Sequence, residues 1–258
     1  MRLSFPELPE LNYKRLSQRI RVLSETWMQN EMYCPVCGNN NLVKFPNNSR
    51  MADFFCSGCN EIYELKSKGS PIGKSILDGA YYTALERINS NTNPNLFVLR
   101  YDRNRNIIED LLLIPKFFFT SDVLKMRNAL SSSARRAGSI GSVILYGNIP
   151  EHGKIAVIKS HTELNKNIVL KNYSRSAKLR IENINLRGWL MDILNCVDKI
   201  NHEVFLLKDL YGFADELSEK HPDNNNVTAK IRQQLQFLRD KGFIEFLGRG
   251  KYKKIFRG

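Results

Sequence analysis

The sequence predicts an α/β (α+β) fold in two parts, and three observations lead to this prediction. Residues 62–114 follow the order strand, helix, strand, strand, which is typical of a sheet with a helix packed on it. Four cysteines lie in two short knuckles just before and beside these elements. Near residue 180 the pattern changes to helix, strand, helix, helix and hairpin, so we predict one domain over 1–180 and a second over 181–258.

Composition limits the kind of partner. The 258 residues are 42% hydrophobic, which suits a globular protein with a core, and they carry a formal net charge of +13. Such a positive excess attracts polyanions, of which nucleic acid is the commonest. The first residues lack an apolar signal region, and no run reaches the roughly 18 apolar residues of a membrane span. We therefore expect a cytoplasmic protein with no membrane partner and no structural disulfides.

Hydrophobic periodicity predicts the elements of the first domain. Apolar residues recur at helical spacing over 16–30, and two later runs are apolar enough to be buried strands. In chain order we expect a helix over 16–30, knuckle turns over 34–60, a strand over 62–66, a helix over 75–88, strands over 96–101 and 107–114, and a serine-rich loop over 131–142. This loop carries Arg135 and Arg136, whose side chains suit a phosphate backbone.

The second domain has the element order of a winged helix-turn-helix. We predict helices over 187–197, 207–219 and 227–240, a strand over 203–206, and a hairpin over 243–256 that turns at Gly248-Arg249-Gly250. In the helix over 227–240, Ile231, Leu235 and Leu238 share one face and are expected to point into the core. The opposite face is polar and basic, so it is free to bind a partner.

The cysteine spacing is that of a zinc ribbon. Two C-x2-C pairs are separated by 18 residues: Cys34 with Cys37, and Cys56 with Cys59. Two thiolates three residues apart reach one ion only across a tight turn, which Gly38 and Gly58 permit. Four sulfurs close the tetrahedron, so this Zn²⁺ would be structural rather than catalytic. The alternative of disulfides or free buried thiols is disfavoured in a reducing compartment.

Asp53, Glu64 and Lys66 lie on either side of the second cysteine pair. Because side chains alternate along a strand, Glu64 and Lys66 project from one face. The knuckle turn folds Asp53 back onto the neighbouring strand. The two carboxylates and the Leu65 carbonyl offer hard oxygen ligands to one or two Mg²⁺ ions. The metal would polarise a phosphate oxygen and activate a water, while Lys66 orients that water or offsets charge in the transition state.

A Glu-x-Lys motif alone is a weak signal, since alternating charge on a strand usually marks a solvated face. Here an aspartate precedes it, a helix follows it, and two apolar strands come next. This is the order of a PD-(D/E)xK nuclease core. Together with the basic second domain, it favours a restriction-endonuclease-like core with inserted zinc-ribbon knuckles.

Positive charge is concentrated at the C-terminus, where residues 226–258 hold nine Lys/Arg against two Asp/Glu. A helix-turn-helix places its last helix in the major groove and its wing against the backbone, and there Gln suits adenine and Arg suits guanine. Double-stranded DNA is therefore the expected partner, with a protein partner as the alternative. The expected DNA contacts are Lys230, Arg232, Gln233 and Gln234 on the helix, Arg249, Lys251, Lys253 and Lys254 on the wing, and Arg135, Arg136 and Trp189 elsewhere.

The sequence resembles the type IIM, methyl-directed GATC restriction endonucleases of the DpnI kind. The resemblance covers almost the whole chain and includes polar, non-repetitive segments. These are Tyr33-Cys34-Pro35, Cys37-Gly38-Asn39-Asn40, Ala52-Asp53-Phe54, Glu64-Leu65-Lys66-Ser67-Lys68, Asp78-Gly79-Ala80-Tyr81, Ala134-Arg135-Arg136-Ala137-Gly138, Arg187-Gly188-Trp189, Ile193-Leu194-Asn195-Cys196, Lys230-Ile231-Arg232-Gln233-Gln234-Leu235 and Gly248-Arg249-Gly250-Lys251-Tyr252.

The resemblance implies cleavage of double-stranded DNA at 5′-GATC-3′ only where the adenine is N6-methylated, with Mg²⁺ chemistry at Asp53, Glu64 and Lys66. It also implies that the winged helix reads the methylated site independently of the nuclease domain. Ser139 is a departure, because a relative carries Trp there, and an aromatic ring at that position would stack against bases.

Two alternatives remain open at this point. One is a nuclease of the same core with another sequence preference, and the other is a non-catalytic zinc and winged-helix DNA-binding regulator. A regulator would have no use for a carboxylate–lysine triad, so the triad favours the nuclease. We expect a monomer that cuts each strand in turn.

Overall fold

The structure is a computed structural model, and it describes residues 1–8, 13–47, 49 and 52–255. These residues form helices and strands arranged in three sheets. The helices are α1 Leu16–Glu31, α2 Tyr81–Asn89, α3 Lys166–Ala177, α4 Ile184–Lys199, α5 Leu207–Tyr211, α6 Ala214–Lys220 and α7 Val227–Asp240. The strands are β1 Leu42–Lys44, β2 Phe54–Cys56, β3 Ile62–Lys68, β4 Ile76–Ala80, β5 Asn95–Asp102, β6 Ile107–Ile114, β7 Leu124–Ala129, β8 Ile140–Ile144, β9 Ile155–Lys159, β10 Thr162–Glu163, β11 Val204–Leu206, β12 Ile244–Gly248 and β13 Lys251–Lys254.

A seven-stranded sheet forms the centre of the N-terminal part, in the order β1-β2-β3-β5-β6-β9-β10. Strands β3 and β5 are parallel, and the other neighbours in this sheet are antiparallel. Parallel strands need a crossover connection, which here consists of β4 and α2. Strand β5 is the hydrophobic centre, since Leu96, Phe97, Val98 and Leu99 are almost inaccessible. The strand that bears Glu64 and Lys66 is thus hydrogen-bonded to a buried neighbour that holds it in place.

A smaller sheet in the order β4-β8-β7 lies beside the crossover, and α2 packs against all three of its strands. Strands β7 and β8 form a hairpin whose connecting loop carries Arg135 and Arg136. Both arginines are exposed. The exposed loop thus connects the edge strand β7 to the central strand β8 of this sheet. The opposite edge strand is β4, which follows β3 in the chain.

The predicted helix over 75–88 is wrong in its first part. Residues Ile76–Ala80 form strand β4, paired with β8, and the helix begins only at Tyr81. Leu77, which the helical spacing would place on the apolar face together with Ile88, is 66% exposed, whereas Ile88 is buried. The apolar residues of this segment are spaced as in a helix. Strand β4 nevertheless pairs with β8, which lies more than sixty residues later in the chain. A non-local pairing of this kind overrides local periodicity.

The predicted loop over 131–142 ends earlier than expected, because residues 140–142 belong to β8. Strands β7, β9 and β10 and helix α3 were not predicted. The helix predicted over 207–219 is two helices, α5 and α6, interrupted at Gly212 and Phe213. The final residue of the predicted hairpin, Phe256, lies outside the described residues.

The C-terminal part confirms the winged helix-turn-helix. Helix α7 packs against α4, α5 and α6, and the sheet β11-β13-β12 forms the wing. Ile231, Leu235 and Leu238 are fully buried on the inner face of α7, as the periodicity of that segment predicts. The fold class, a mixed α/β core followed by a winged helix, is therefore confirmed. None of the described helices is long and apolar enough to cross a membrane.

Polar contacts join the two parts of the chain. The backbone N–H of Glu151 donates to the Asp198 carboxylate at 2.9 Å, and the Asn195 amide donates to the Asn148 carbonyl at 2.7 Å. The ring of His152 lies edge-on to that of Phe243, with centroids 4.8 Å apart. These contacts place the winged helix against the nuclease-like core, and the exact boundary near residue 180 stays a prediction.

Candidate active site

Asp53 immediately precedes β2, which pairs with β3 in antiparallel register. Its backbone N–H donates to the Tyr63 carbonyl at 3.0 Å. Its side-chain oxygen Oδ2 accepts a hydrogen bond from the backbone N–H of Leu65 at 2.7 Å. The Asp53 carboxylate therefore lies directly beside the Glu64–Lys66 segment, as the knuckle-turn argument expects.

Lys66 pairs with two carboxylates. Its ammonium nitrogen Nζ is 2.5 Å from Oε1 of Glu64 and 2.8 Å from Oδ1 of Asp78. Asp78 was not among the predicted site residues, because its segment was taken for a helix. It lies instead on β4, in the smaller sheet. The site is thus assembled from two sheets and holds three carboxylates and one ammonium.

The surroundings shift the pKa values of these groups. Burial raises the pKa of Asp53 above its ordinary value. The hydrogen bond from the Leu65 N–H lowers this pKa, and the negative charges of Glu64 and Glu25 raise it further. Burial alone would lower the pKa of Lys66, but the adjacent Glu64 and Asp78 raise it above its usual range. Burial alone would raise the pKa of Asp78, but the Lys66 ammonium outweighs it and lowers that pKa. Lys66 is therefore charged at neutral pH, and the excess of negative groups favours a bound cation.

Glu25 is a further acid near the site that the sequence did not single out. It lies on α1, is almost fully buried, and pairs with Lys44, whose ammonium is 2.7 Å from its Oε2. Its charge contributes to the raised pKa of Asp53. In the sequence, the signal is an acid placed between Leu23 and Trp27, two apolar residues of the helix that the periodicity predicts to be buried.

The four predicted zinc ligands converge. Their sulfurs all lie within 4.8 Å of one another, with 3.6 Å between Cys34 and Cys59 and 3.5 Å between Cys37 and Cys56. A tetrahedral ZnS₄ site with Zn–S bonds of about 2.3 Å has sulfurs about 3.8 Å apart. None of these four cysteines forms a disulfide bond. The cluster therefore has the geometry to hold one Zn²⁺ ion.

The two knuckles have matching backbone turns. The N–H of Gly38 donates to the Cys34 carbonyl, and the N–H of Asn60 donates to the Cys56 carbonyl, each at 2.8 Å. Gly38 and Asn60 both have a positive φ, of 79° and 59°. The left-handed residue of the second knuckle is thus Asn60, not Gly58 as the sequence suggested. The N–H groups of Cys59 and Gly58 overcome the effect of burial and lower the pKa of Cys56 to about 7. Burial raises the pKa of Cys34 to about 11 and the pKa of Cys59 above its usual range.

Tyr63 connects the cysteine cluster to the carboxylates. Its side chain is completely buried, and its hydroxyl lies 3.0 Å from the sulfur of Cys34. Its carbonyl accepts the hydrogen bond from the Asp53 N–H, and it immediately precedes Glu64. The cysteine knuckles and the carboxylate cluster are therefore parts of one packed unit.

The predicted DNA contacts fall into two groups. Exposed or half-buried residues on the outer face of α7, on the wing and on the β7–β8 loop are available to a ligand: Lys230, Arg232, Gln233, Arg249, Lys251, Lys253, Arg135 and Arg136. The structure corrects the expectation for Trp189 and Gln234, which are each only 5% exposed. Trp189 stacks on His221 with ring centroids 3.9 Å apart. Lys254 is also buried and donates to the Ile200 carbonyl, so it is structural.

An α/β core with a carboxylate–lysine cluster and a four-cysteine site, joined to a basic winged helix, defines a DNA-binding protein of the restriction-modification class. Comparison with protein families agrees. Residues 1–182 match the model of the Dam-replacing (DpnI) family, and residues 185–254 match that of the Dam-replacing HTH domain. The chain belongs to the Dam-replacing family.

Proposed function

We propose that this protein is a metal-dependent endonuclease that hydrolyses double-stranded DNA at 5′-GATC-3′ sites carrying N6-methyladenine. Membership of the Dam-replacing family and the helix-turn-helix domain support action on DNA. The observation that carries the hydrolytic activity is the convergence of Asp53, Glu64 and Lys66 at the middle of β3. A protein that only binds DNA has no use for such a cluster.

Asp53 and Glu64 would hold Mg²⁺, with the Leu65 carbonyl as a further ligand, because such oxygens are the donors that Mg²⁺ prefers. Within the described residues, Asp53 accepts a side-chain hydrogen bond only at Oδ2, and Glu64 pairs only through Oε1. Each carboxylate thus keeps one oxygen for a cation. When bound, the metal supplies positive charge that polarises the scissile phosphate and makes water a better nucleophile.

The chain's own groups orient this chemistry. The Leu65 N–H fixes the Asp53 carboxylate before DNA arrives. Lys66 stays protonated at neutral pH, so its ammonium stabilises negative charge on the phosphate as water attacks phosphorus and the bond to the leaving oxygen breaks. The pKa of Asp53 is raised first by burial and then by the charges of Glu64 and Glu25, and a divalent cation beside the carboxylate would offset these effects.

DNA recognition is assigned mainly to the winged helix. Lys230, Arg232 and Gln233 on α7 are placed for base edges or nearby phosphates, and Arg249 and Lys251 on the wing for the backbone. The exposed loop between β7 and β8 would add backbone contacts close to the cutting site through its two arginines. We propose that a monomer suffices, since one chain contains both functions.

Digestion of one plasmid in two forms, with and without N6-methyladenine at GATC, tests this function. Each form is incubated with the protein and either Mg²⁺ or a chelator that removes it. We expect only the methylated plasmid to be cut, and only with Mg²⁺. Cutting of both forms would point to a nuclease of the same core with another preference, and binding without cutting would point to a regulator. Either result contradicts the proposal.

A further inference from the structure

Asp78 holds a special position among the three acids of the site. Its side chain is only 11% exposed, and that of Lys66 is 24% exposed. Oδ1 of Asp78 lies 2.8 Å from the Lys66 ammonium, and Oδ2 lies 3.3 Å from the Ser142 hydroxyl, whose single proton it shares with the Gly79 carbonyl at 3.0 Å. Ser142 is fully buried on β8, directly opposite Asp78 in the strand register. The smaller sheet therefore fixes the Asp78 carboxylate in place.

The oxygens of the three acids are used differently. Both oxygens of Asp78 have a partner, whereas Asp53 and Glu64 each engage one oxygen within the part of the chain that the structure describes. Asp53 and Glu64 are consequently suited to accept a metal ion. Asp78 is suited to hold the ammonium of Lys66, because it would have to give up Lys66 or Ser142 in order to coordinate a metal.

Lys66 needs a second partner if Glu64 binds a metal. Positive charge beside Glu64 competes with the ammonium for the same carboxylate, and a lysine released from its partner regains the freedom of a long, flexible side chain. Catalysis requires the ammonium at one defined place beside the phosphate. The structure provides a second carboxylate, carried on a different sheet, at almost the same distance as the first.

We infer that Asp78 is a positioning residue that holds the Lys66 ammonium in place while Glu64 coordinates the catalytic metal. This inference rests on the proposed nuclease function and adds a fourth side chain to it. It also gives a role to β4, since this strand brings an acid from the sheet with the DNA-facing loop to the strand that carries Lys66.

The test compares the full-length Asp78→Asn and Asp78→Glu variants with the wild type on methylated GATC duplexes. Asparagine keeps the size of the side chain but removes the charge, so we expect kcat to fall about a hundredfold, with KM for DNA changed less than about threefold. Glutamate, which retains a carboxylate, should restore much of kcat. The Mg²⁺ concentration for half-maximal rate should stay at the wild-type value.

Asp192→Asn is the matched control. Asp192 lies on α4 in the winged helix, its side chain is 6% exposed, and it pairs with Lys220 at 2.6 Å and with His221 at 2.9 Å. The Asp192→Asn variant should lower the melting temperature about as much as Asp78→Asn does, and it should leave kcat unchanged. An Asp78→Asn variant with the kcat of the wild type would overturn the inference. A large rise in the Mg²⁺ concentration that this variant needs for half-maximal rate would also overturn it, because Asp78 would then be a metal ligand. A wild type that never cuts would instead refute the proposed function.

A second measurement does not depend on how the variants fold. A crystal structure of the wild-type protein with Ca²⁺, which occupies hard oxygen sites, should place Lys66 Nζ within hydrogen-bond distance of Asp78 while Glu64 binds the ion. An ammonium that has left Asp78 in that structure would overturn the inference.

Discussion

The carboxylate cluster and the winged-helix surface use charge in opposite ways. In the cluster, Lys66 lies within 2.8 Å of two acids and is largely enclosed by strands from two sheets. On the winged helix, Arg249 and Lys251 project into solvent from a tight hairpin turn. Bond-breaking needs groups fixed at one geometry, whereas affinity for DNA needs only a density of cations. We therefore predict that mutations in the cluster reduce cleavage without weakening DNA binding. Mutations on the winged helix should weaken binding without slowing the cleavage of bound DNA.

The largest expected effect is on the cluster itself. Lys66→Ala removes the only ammonium paired with Glu64 and Asp78 among the described residues, so we expect cleavage to fall at least about a hundredfold. Binding of a methylated duplex, measured by fluorescence anisotropy, should stay within about threefold of wild type. Lys68→Ala, two residues further along the same strand, is the matched control and should cut normally. Loss of binding together with cleavage in Lys66→Ala would contradict the separation.

Removal of zinc should damage the nuclease part and spare the winged helix. We expect about one zinc per chain by atomic absorption, and a fall in melting temperature of about 10 °C or more after stripping with a chelator. Cys37→Ser should behave like the stripped protein, because it breaks the four-sulfur site. Cys196→Ala, in a buried helix elsewhere, should keep its zinc. An unchanged metal content in Cys37→Ser would rule out the site.

A smaller effect is expected from the winged-helix surface. Arg249→Ala and Lys251→Ala should each weaken DNA binding several-fold and reduce the slope of log affinity against log salt by about one. The cleavage rate of fully bound DNA should not change, since neither residue belongs to the carboxylate cluster around Lys66. Lys159→Ala, at an exposed lysine that ends β9, is the control. A reduced rate on saturated DNA would show that the two regions are coupled.

The smallest expected effect concerns the contact between the two parts. Burial, reinforced by the charge of Arg175, lowers the pKa of His152 to about 4 from an ordinary value of 6.5. Above pH 6.5 the folded and unfolded states are both neutral at this group. As pH falls from 6.5 toward 4, the unfolded state binds a proton that the folded state refuses, so the free energy of unfolding decreases.

Melting curves of the wild type and His152→Gln between pH 7.5 and 4 measure this contribution. The melting temperature of the variant should fall less with decreasing pH than that of the wild type. The difference between the two melting temperatures should therefore narrow or reverse as pH falls. A difference that stays constant over this range would contradict the role of His152.

Much of the site could be predicted from the sequence because its signals are local. Cysteine spacing identifies the cluster of four sulfurs, and strand alternation places Glu64 beside Lys66. Asp78 was missed because its position depends on the pairing of β4 with β8, which no local pattern records. Burial of Trp189 and Gln234 was missed for a related reason. Polar or aromatic character indicates a contact surface, but the packing of α4 and α7 decides which face is inside.

We propose that Asp53, Glu64 and Lys66 cut DNA that the winged helix binds independently. The decisive measurement compares cleavage and binding by Asp53→Asn on methylated and unmethylated GATC duplexes. We predict that cleavage with Mg²⁺ disappears while the preference for binding methylated DNA is retained. A variant that still cuts, or that loses methyl-dependent binding along with cleavage, would contradict this claim.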